Sequence, residues 1–140
     1  MEYILATTVE QAQYVLKRAY CEELPLGYDT ECYGFDIEVE SPVGRAVIVC
    51  FSLAGEGWKA CIDGKFLYLF KEWLEDVKRE KYVANLVFEL HVAKCHHITL
   101  RGVRLDTVLA SFTLYPHLFS HGVEKAGMRE FGESKRPFKQ

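Results

Sequence analysis

An α/β fold around a mixed sheet follows from three features of this 140-residue sequence. A strand-like start passes straight into a helix, a group of strand candidates with tight turns comes next, and helices then alternate with short strands. A hydrophobic share of 49% with 26% charged residues is that of a chain burying one core, and it excludes a disordered chain. A single domain over residues 1–140 is expected.

The elements follow in order. Glu2–Ala6 is a short strand candidate. Thr7-Thr8-Val9-Glu10 reads as a capping box, in which the Thr7 hydroxyl and the Glu10 carboxylate satisfy free amides at a helix start. Val9, Ala12, Val15, Leu16 and Ala19 continue at helical spacing, and Pro25 with Gly27 ends the connector. Gly27–Glu31 begins a new element, and Phe35–Glu40 alternates like a strand before the turn Ser41-Pro42-Val43-Gly44. Arg45–Leu53 is rich in β-branched residues and predicts a buried strand. Gly55-Glu56-Gly57 suits a hairpin turn, with Trp58–Ile62 the returning strand. Phe66, Leu67, Phe70, Trp73, Leu74 and Val77 make one apolar helix face. Lys81–Leu86 is a short strand, Val87–Cys95 a helix, and Asp106–Tyr115 and His121–Phe131 the last helical stretches.

Charge and cysteine usage narrow the function classes. Seventeen basic and 20 acidic residues give a net charge of −3, so any contact with a polyanion must be local or carried by metal ions. The longest apolar runs, such as Ala46–Phe51, fall far short of the ~20 residues of a membrane span. Met1–Thr8 lacks the basic start of a signal peptide. Cys21, Cys32, Cys50, Cys61 and Cys95 are odd in number and form no Cys-x-x-Cys pair; Cys50 and Cys95 are expected to pack as small hydrophobes. A reducing, cytoplasmic location is expected.

Asp29-Thr30-Glu31 is the most informative triplet. Residues two apart in a strand point to one face, so both carboxylates converge on one spot. Two carboxylates held together repel unless a cation joins them, and hard oxygen ligands suit Mg²⁺ or Mn²⁺. The plainer reading is two solvated acids at a strand end.

Two further blocks follow in order, Val83-Ala84-Asn85-Leu86-Val87-Phe88-Glu89-Leu90-His91 and Gly102-Val103-Arg104-Leu105-Asp106-Thr107-Val108-Leu109-Ala110-Ser111. With Gly27-Tyr28-Asp29-Thr30-Glu31, they resemble the proofreading 3′–5′ exonuclease domain of family-A DNA polymerases, within the ribonuclease H-like superfamily. The first block is similar to that family's Asp-Thr-Glu motif, the second to its Asn-x-x-(Phe/Tyr)-Asp motif, the third to its Asp-Thr-Met-Leu-Ala-Ser segment. The resemblance implies a ribonuclease H-like mixed sheet flanked by helices and two-metal hydrolysis of a terminal phosphodiester. It implies Asp29, Glu31 and Glu89 as catalytic and metal-holding residues for Mg²⁺ or Mn²⁺, with Asp29 bridging both ions. It also implies Thr30, Phe35, Asn85 and Phe88 as substrate-binding residues, Asn85 on the terminal phosphodiester and the two phenylalanines against the end nucleotides. Asp106 reads as a helix cap or orienting group.

The sequence departs from the family twice. Glu89 stands where the family has aspartate, which moves the carboxylate by about 1.5 Å. The 140 residues contain no Tyr-x-x-x-Asp, the family's third motif, so a C-terminally incomplete domain that is weak or inactive alone is expected. His91-x-x-x-Cys95 and His117-x-x-x-His121 could hold zinc, but read better as helix-end residues. Lys125, Arg129, Lys135, Arg136 and Lys139 form a basic tail that could touch phosphate, and a solvated tail is the simpler reading. The expected partners are single-stranded DNA 3′ ends and a C-terminal polymerase fragment or replication protein, with no membrane. The competing expectation is a catalytically inactive exonuclease-like module that binds nucleic acid or a polymerase.

Overall fold

The computed structural model describes residues 1–33 and 46–133. Phe35, the alternating segment 35–40 and the turn at 41–44 lie outside the described residues, as do Lys135, Arg136 and Lys139. The chain runs β1 (Glu2–Ala6), α1 (Val9–Cys21), β2 (Leu26–Tyr33), β3 (Val47–Gly55) and β4 (Trp58–Asp63). A 3₁₀ helix (Gly64–Phe70) leads into α2 (Lys71–Glu75), then β5 (Lys81–Val83), α3 (Leu86–Cys95), β6 (Val103–Asp106), α4 (Thr107–Leu114) and α5 (Val123–Phe131).

These strands form one six-stranded mixed sheet in the order β1-β4-β3-β2-β5-β6. β2, β3 and β4 make the expected antiparallel meander, while β1 joins β4, and β5 and β6 extend from β2, all in parallel. One face is covered by helices. Phe51, Leu53, Trp58 and Ile62 of the meander are at most 1% exposed there, beneath Phe70, Trp73 and Leu74. Phe51 and Phe70 meet edge to face at 4.9 Å between ring centres, an arrangement that adds to plain area burial.

Four expectations need correction. The α1 cap is Thr8 rather than Thr7, and Gln11 rather than Glu10 reciprocates, because the helix begins one residue later and the third helical position moves with it. The Phe66–Val77 helix face is split: its first half is 3₁₀, capped by Asp63, and Val77 lies past the end of α2, 62% exposed. The strand at Lys81–Leu86 stops at Val83, because Asn85 takes a left-handed conformation (φ 64°) and caps α3. β6 was not foreseen as a strand; its four residues alternate too briefly to carry a period.

Lys81 is fully buried at the start of β5. Its ammonium sits 4.3 Å from the centre of the Trp73 ring and donates to the Arg79 carbonyl at 2.5 Å. Burial pulls its pKa down to about 8. Gly102, just before β6, accepts the Lys81 N–H and packs against the 76–79 turn at φ +70°, where an added Cβ would lie 2.6 Å from the Arg79 carbonyl oxygen and 2.9 Å from that of Asp76. Gly102→Ala should therefore destabilise the fold by about 1–3 kcal/mol, read as a lower urea midpoint; an unchanged midpoint would contradict this packing.

Candidate active site groove

Alternation along β2 decides where each motif side chain goes. Asp29 and Glu31 are both exposed and share a face with Ser52 and Cys50, their register partners on β3. Tyr28 and Thr30 point to the helix-covered face and are 3% and 5% exposed. The β2–β3 register slips between Glu31 and Cys32, an irregularity beside the acidic pair that re-aims the end of the strand.

Asp29 and Glu31 floor a groove of about 990 Å³. Ser52 and Ala54 of β3, Lys59 of β4, Tyr82 and Phe88 continue its lining, and Val123, Glu124, Gly127 and Phe131 of α5 face it. Its charged lining residues are Asp29, Glu31, Glu124 and Glu133 against Lys59, so the groove is acidic. Such a lining disfavours a phosphate unless a cation lies beside it.

Glu89 goes elsewhere. It is 1% exposed on the helix-covered side, where the Thr30 backbone N–H donates to one carboxyl oxygen (3.3 Å) and the Thr30 hydroxyl to the other (2.9 Å). Burial, and secondarily the charge of Asp29, push its pKa from the ordinary 4.5 to about 8, against the pull of the Thr30 hydrogen bonds. Asn85 is exposed and accepts the Phe88 backbone N–H at 3.4 Å, capping its own helix. Asp106 caps α4 through the N–H groups of Val108 (2.9 Å) and Leu109 (3.3 Å), and also accepts those of Asn85 (3.2 Å) and Leu86 (2.7 Å). Burial opposes ionisation of Asp106, yet these donors hold its carboxyl below the usual range.

The donor set can be judged on this geometry. Asp29 and Glu31, side by side on one face of β2, are the hard oxygen donors that suit a divalent ion. A centre for two ions needs more carboxylates on the same side, and no group of three His, Cys, Asp or Glu is assembled for a metal among the described residues. That statement covers the His91/Cys95 and His117/His121 pairs too, and His121 is bonded to Ser111 (3.0 Å) and the Leu118 carbonyl (3.1 Å).

Sequence reasoning missed several lining residues. Lys59 shares the open face with Ala54, and the alternation Trp58-Lys59-Ala60-Cys61-Ile62 carries that signal. Cys50 and Cys61 meet on the same face, where burial first and then the neighbouring Cys61 push the Cys50 thiol up to about 11. A thiol kept protonated in this way is a poor nucleophile. No sequence signal pointed to Glu124 or Phe131 facing β2, since that depends on where the chain returns.

The mixed sheet has a ribonuclease H-like fold, and its motif order and groove are similar to those of exonuclease domains of that fold. No family model matches the chain. Its similarity to known proteins runs to organellar DNA polymerases: it is 32% identical over 95 residues to DNA polymerase I A of Arabidopsis thaliana, and 30% identical over 96 residues to that of Oryza sativa subsp. japonica. Each match covers 57% of this chain and 9% of the relative. Among solved structures, the POL domain of Pol1 from M. smegmatis superposes with a TM-score of 0.76 at 19% identity, over 94% of this chain and 23% of that one. Escherichia coli RNase D, an exoribonuclease, does so with a TM-score of 0.73 at 17% identity, over 97% of this chain and 35% of that one. Among the described residues no helix is long and apolar enough to cross a membrane.

The buried Glu89 makes stability depend on pH. The unfolded chain releases this proton near 4.5 and the folded chain near 8, so the contribution is full below about 4.5 and is lost as pH rises through about 8. The wild-type urea midpoint should fall between about pH 5 and pH 9 by more than that of Glu89→Gln, which has nothing to titrate there. Parallel curves for the two proteins would contradict a raised value.

Proposed function

We propose that this is a 3′–5′ exonuclease-like domain that receives the 3′ end of single-stranded DNA in the groove over β2 and, as this chain alone, cleaves it slowly or not at all. The observation that carries the reading is the Asp29/Glu31 pair on the floor of an acidic groove of about 990 Å³. A Mg²⁺ or Mn²⁺ ion held by Asp29 and Glu31 would supply the positive charge that a terminal phosphate needs there. The chain's own residues do the rest: Phe88 and Tyr82 offer aromatic surface to an end base, and Lys59 lies on the same floor for the backbone. DNA is preferred as substrate because the similar curated proteins are DNA polymerases. The chain spans under a tenth of their length; a polymerase fragment or replication protein is the proposed partner, from the likeness to DNA polymerases alone. Five cysteines held as thiols suit a reducing compartment, proposed to be cytoplasmic.

The second reading, a module that binds 3′ ends without cleaving them, is favoured by one observation: both oxygens of Glu89 are engaged by Thr30. One experiment tests both. Labelled single-stranded DNA is incubated with the purified chain in Mn²⁺, and binding and shortening from the 3′ end are followed together. Binding that weakens about tenfold or more in Asp29→Ala is expected, with cleavage at least about 10²-fold below that of a complete site. Robust cleavage lost in Asp29→Ala would show that the weak-activity reading is wrong; absence of binding in Mn²⁺ would sink the proposal as a whole.

A further inference from the structure

β5 pairs with β2 only at Leu26 and Gly27, so among the described residues that edge of β2 has no strand neighbour beyond Gly27. The Thr30 N–H lies on this stretch and finds its acceptor in Glu89, from the first turn of α3. The Thr30 hydroxyl binds the other oxygen of the same carboxyl, and Glu89 is absent from the groove lining. Glu89 sits at the β2 edge and outside the groove lining, so reaching an ion beside Asp29 and Glu31 would draw its carboxyl away from the Thr30 pair. An unsatisfied amide and hydroxyl would stay behind in a buried place.

We propose that Glu89 is a positioning residue that anchors α3 to Thr30, and thereby fixes the strand from which Asp29 and Glu31 project, rather than a ligand of the cation. The proposal rests on the reading of Asp29 and Glu31 as the cation pair. It also gives a reason for glutamate at this position: an aspartate carboxyl, drawn back by about 1.5 Å, would not span from α3 to Thr30. Glutamine is the isosteric replacement, because its oxygen accepts the Thr30 N–H and its amide donates to the Thr30 hydroxyl.

The test uses the full chain and three readouts: Mn²⁺ calorimetry, thermal melting, and hydrogen exchange at the Thr30 amide. Glu89→Gln should bind Mn²⁺ within about twofold of wild type, melt near it, and keep the Thr30 amide protected. Glu89→Asp and Thr30→Val should melt lower and bind Mn²⁺ about tenfold more weakly, the range seen when groups that orient a ligand are lost. Mn²⁺ binding weakened tenfold or more in Glu89→Gln, with melting and exchange unchanged, would overturn the proposal by making Glu89 a ligand. Fast exchange at Thr30 in the wild type would overturn it too, and requires no variant to fold. If instead Asp29→Ala binds Mn²⁺ as well as wild type does, the cation-pair reading fails, while the exchange result at Thr30 still decides the anchor by itself.

Discussion

The carboxylate of Asp106 accepts hydrogen bonds from four backbone amides, two opening α4 and two at the start of α3. Helix starts carry unpaired N–H groups and partial positive charge, so one anion placed between two of them satisfies both at once. Much else in the site depends on that arrangement. With the beginning of α3 held, the first turn delivers Glu89 to Thr30 and Phe88 to the groove. Asp106 also ends β6, so the sheet edge, two helices and the support of the acidic pair meet at one side chain.

The two faces of β2 divide the labour. One is buried under helices and fixed by hydrogen bonds to the buried Glu89 carboxyl; the other lines the groove and carries Asp29 and Glu31. A three-residue stretch, Asp29-Thr30-Glu31, belongs to both, and a slip of one residue would exchange their contents. The antiparallel pairing with β3 and the helix-covered core on the other side keep that slip from happening.

Period-two alternation made the placement of Asp29 and Glu31 legible, because a strand leaves no other geometry for residues two apart. The capping role of Asp106 was equally legible, from an acid ahead of an apolar helical run. The mixed sheet with its meander was readable from element order alone. Glu89 was not. Its motif places it in the first turn of α3, but which side of β2 that turn faces is fixed by packing between distant segments. The 3₁₀ turn at Gly64–Phe70 was hidden for another reason: Phe66, Leu67 and Phe70 meet the core equally well in a tighter helix, so hydrophobic spacing cannot tell the two apart.

Lys81 carries a consequence of a different kind. Its amine loses its proton far more readily than an ordinary lysine, which makes it the more reactive form toward acylating reagents near neutral pH. Yet the amine is sealed between Trp73 and the carbonyls of a turn, where no reagent reaches it. Exposed lysines such as Lys59 and Lys65 are modified at the rate of the chemistry, whereas Lys81 can be modified only when Trp73 and the turn before β5 open away from it. The chain thus contains its own clock for the opening of that turn.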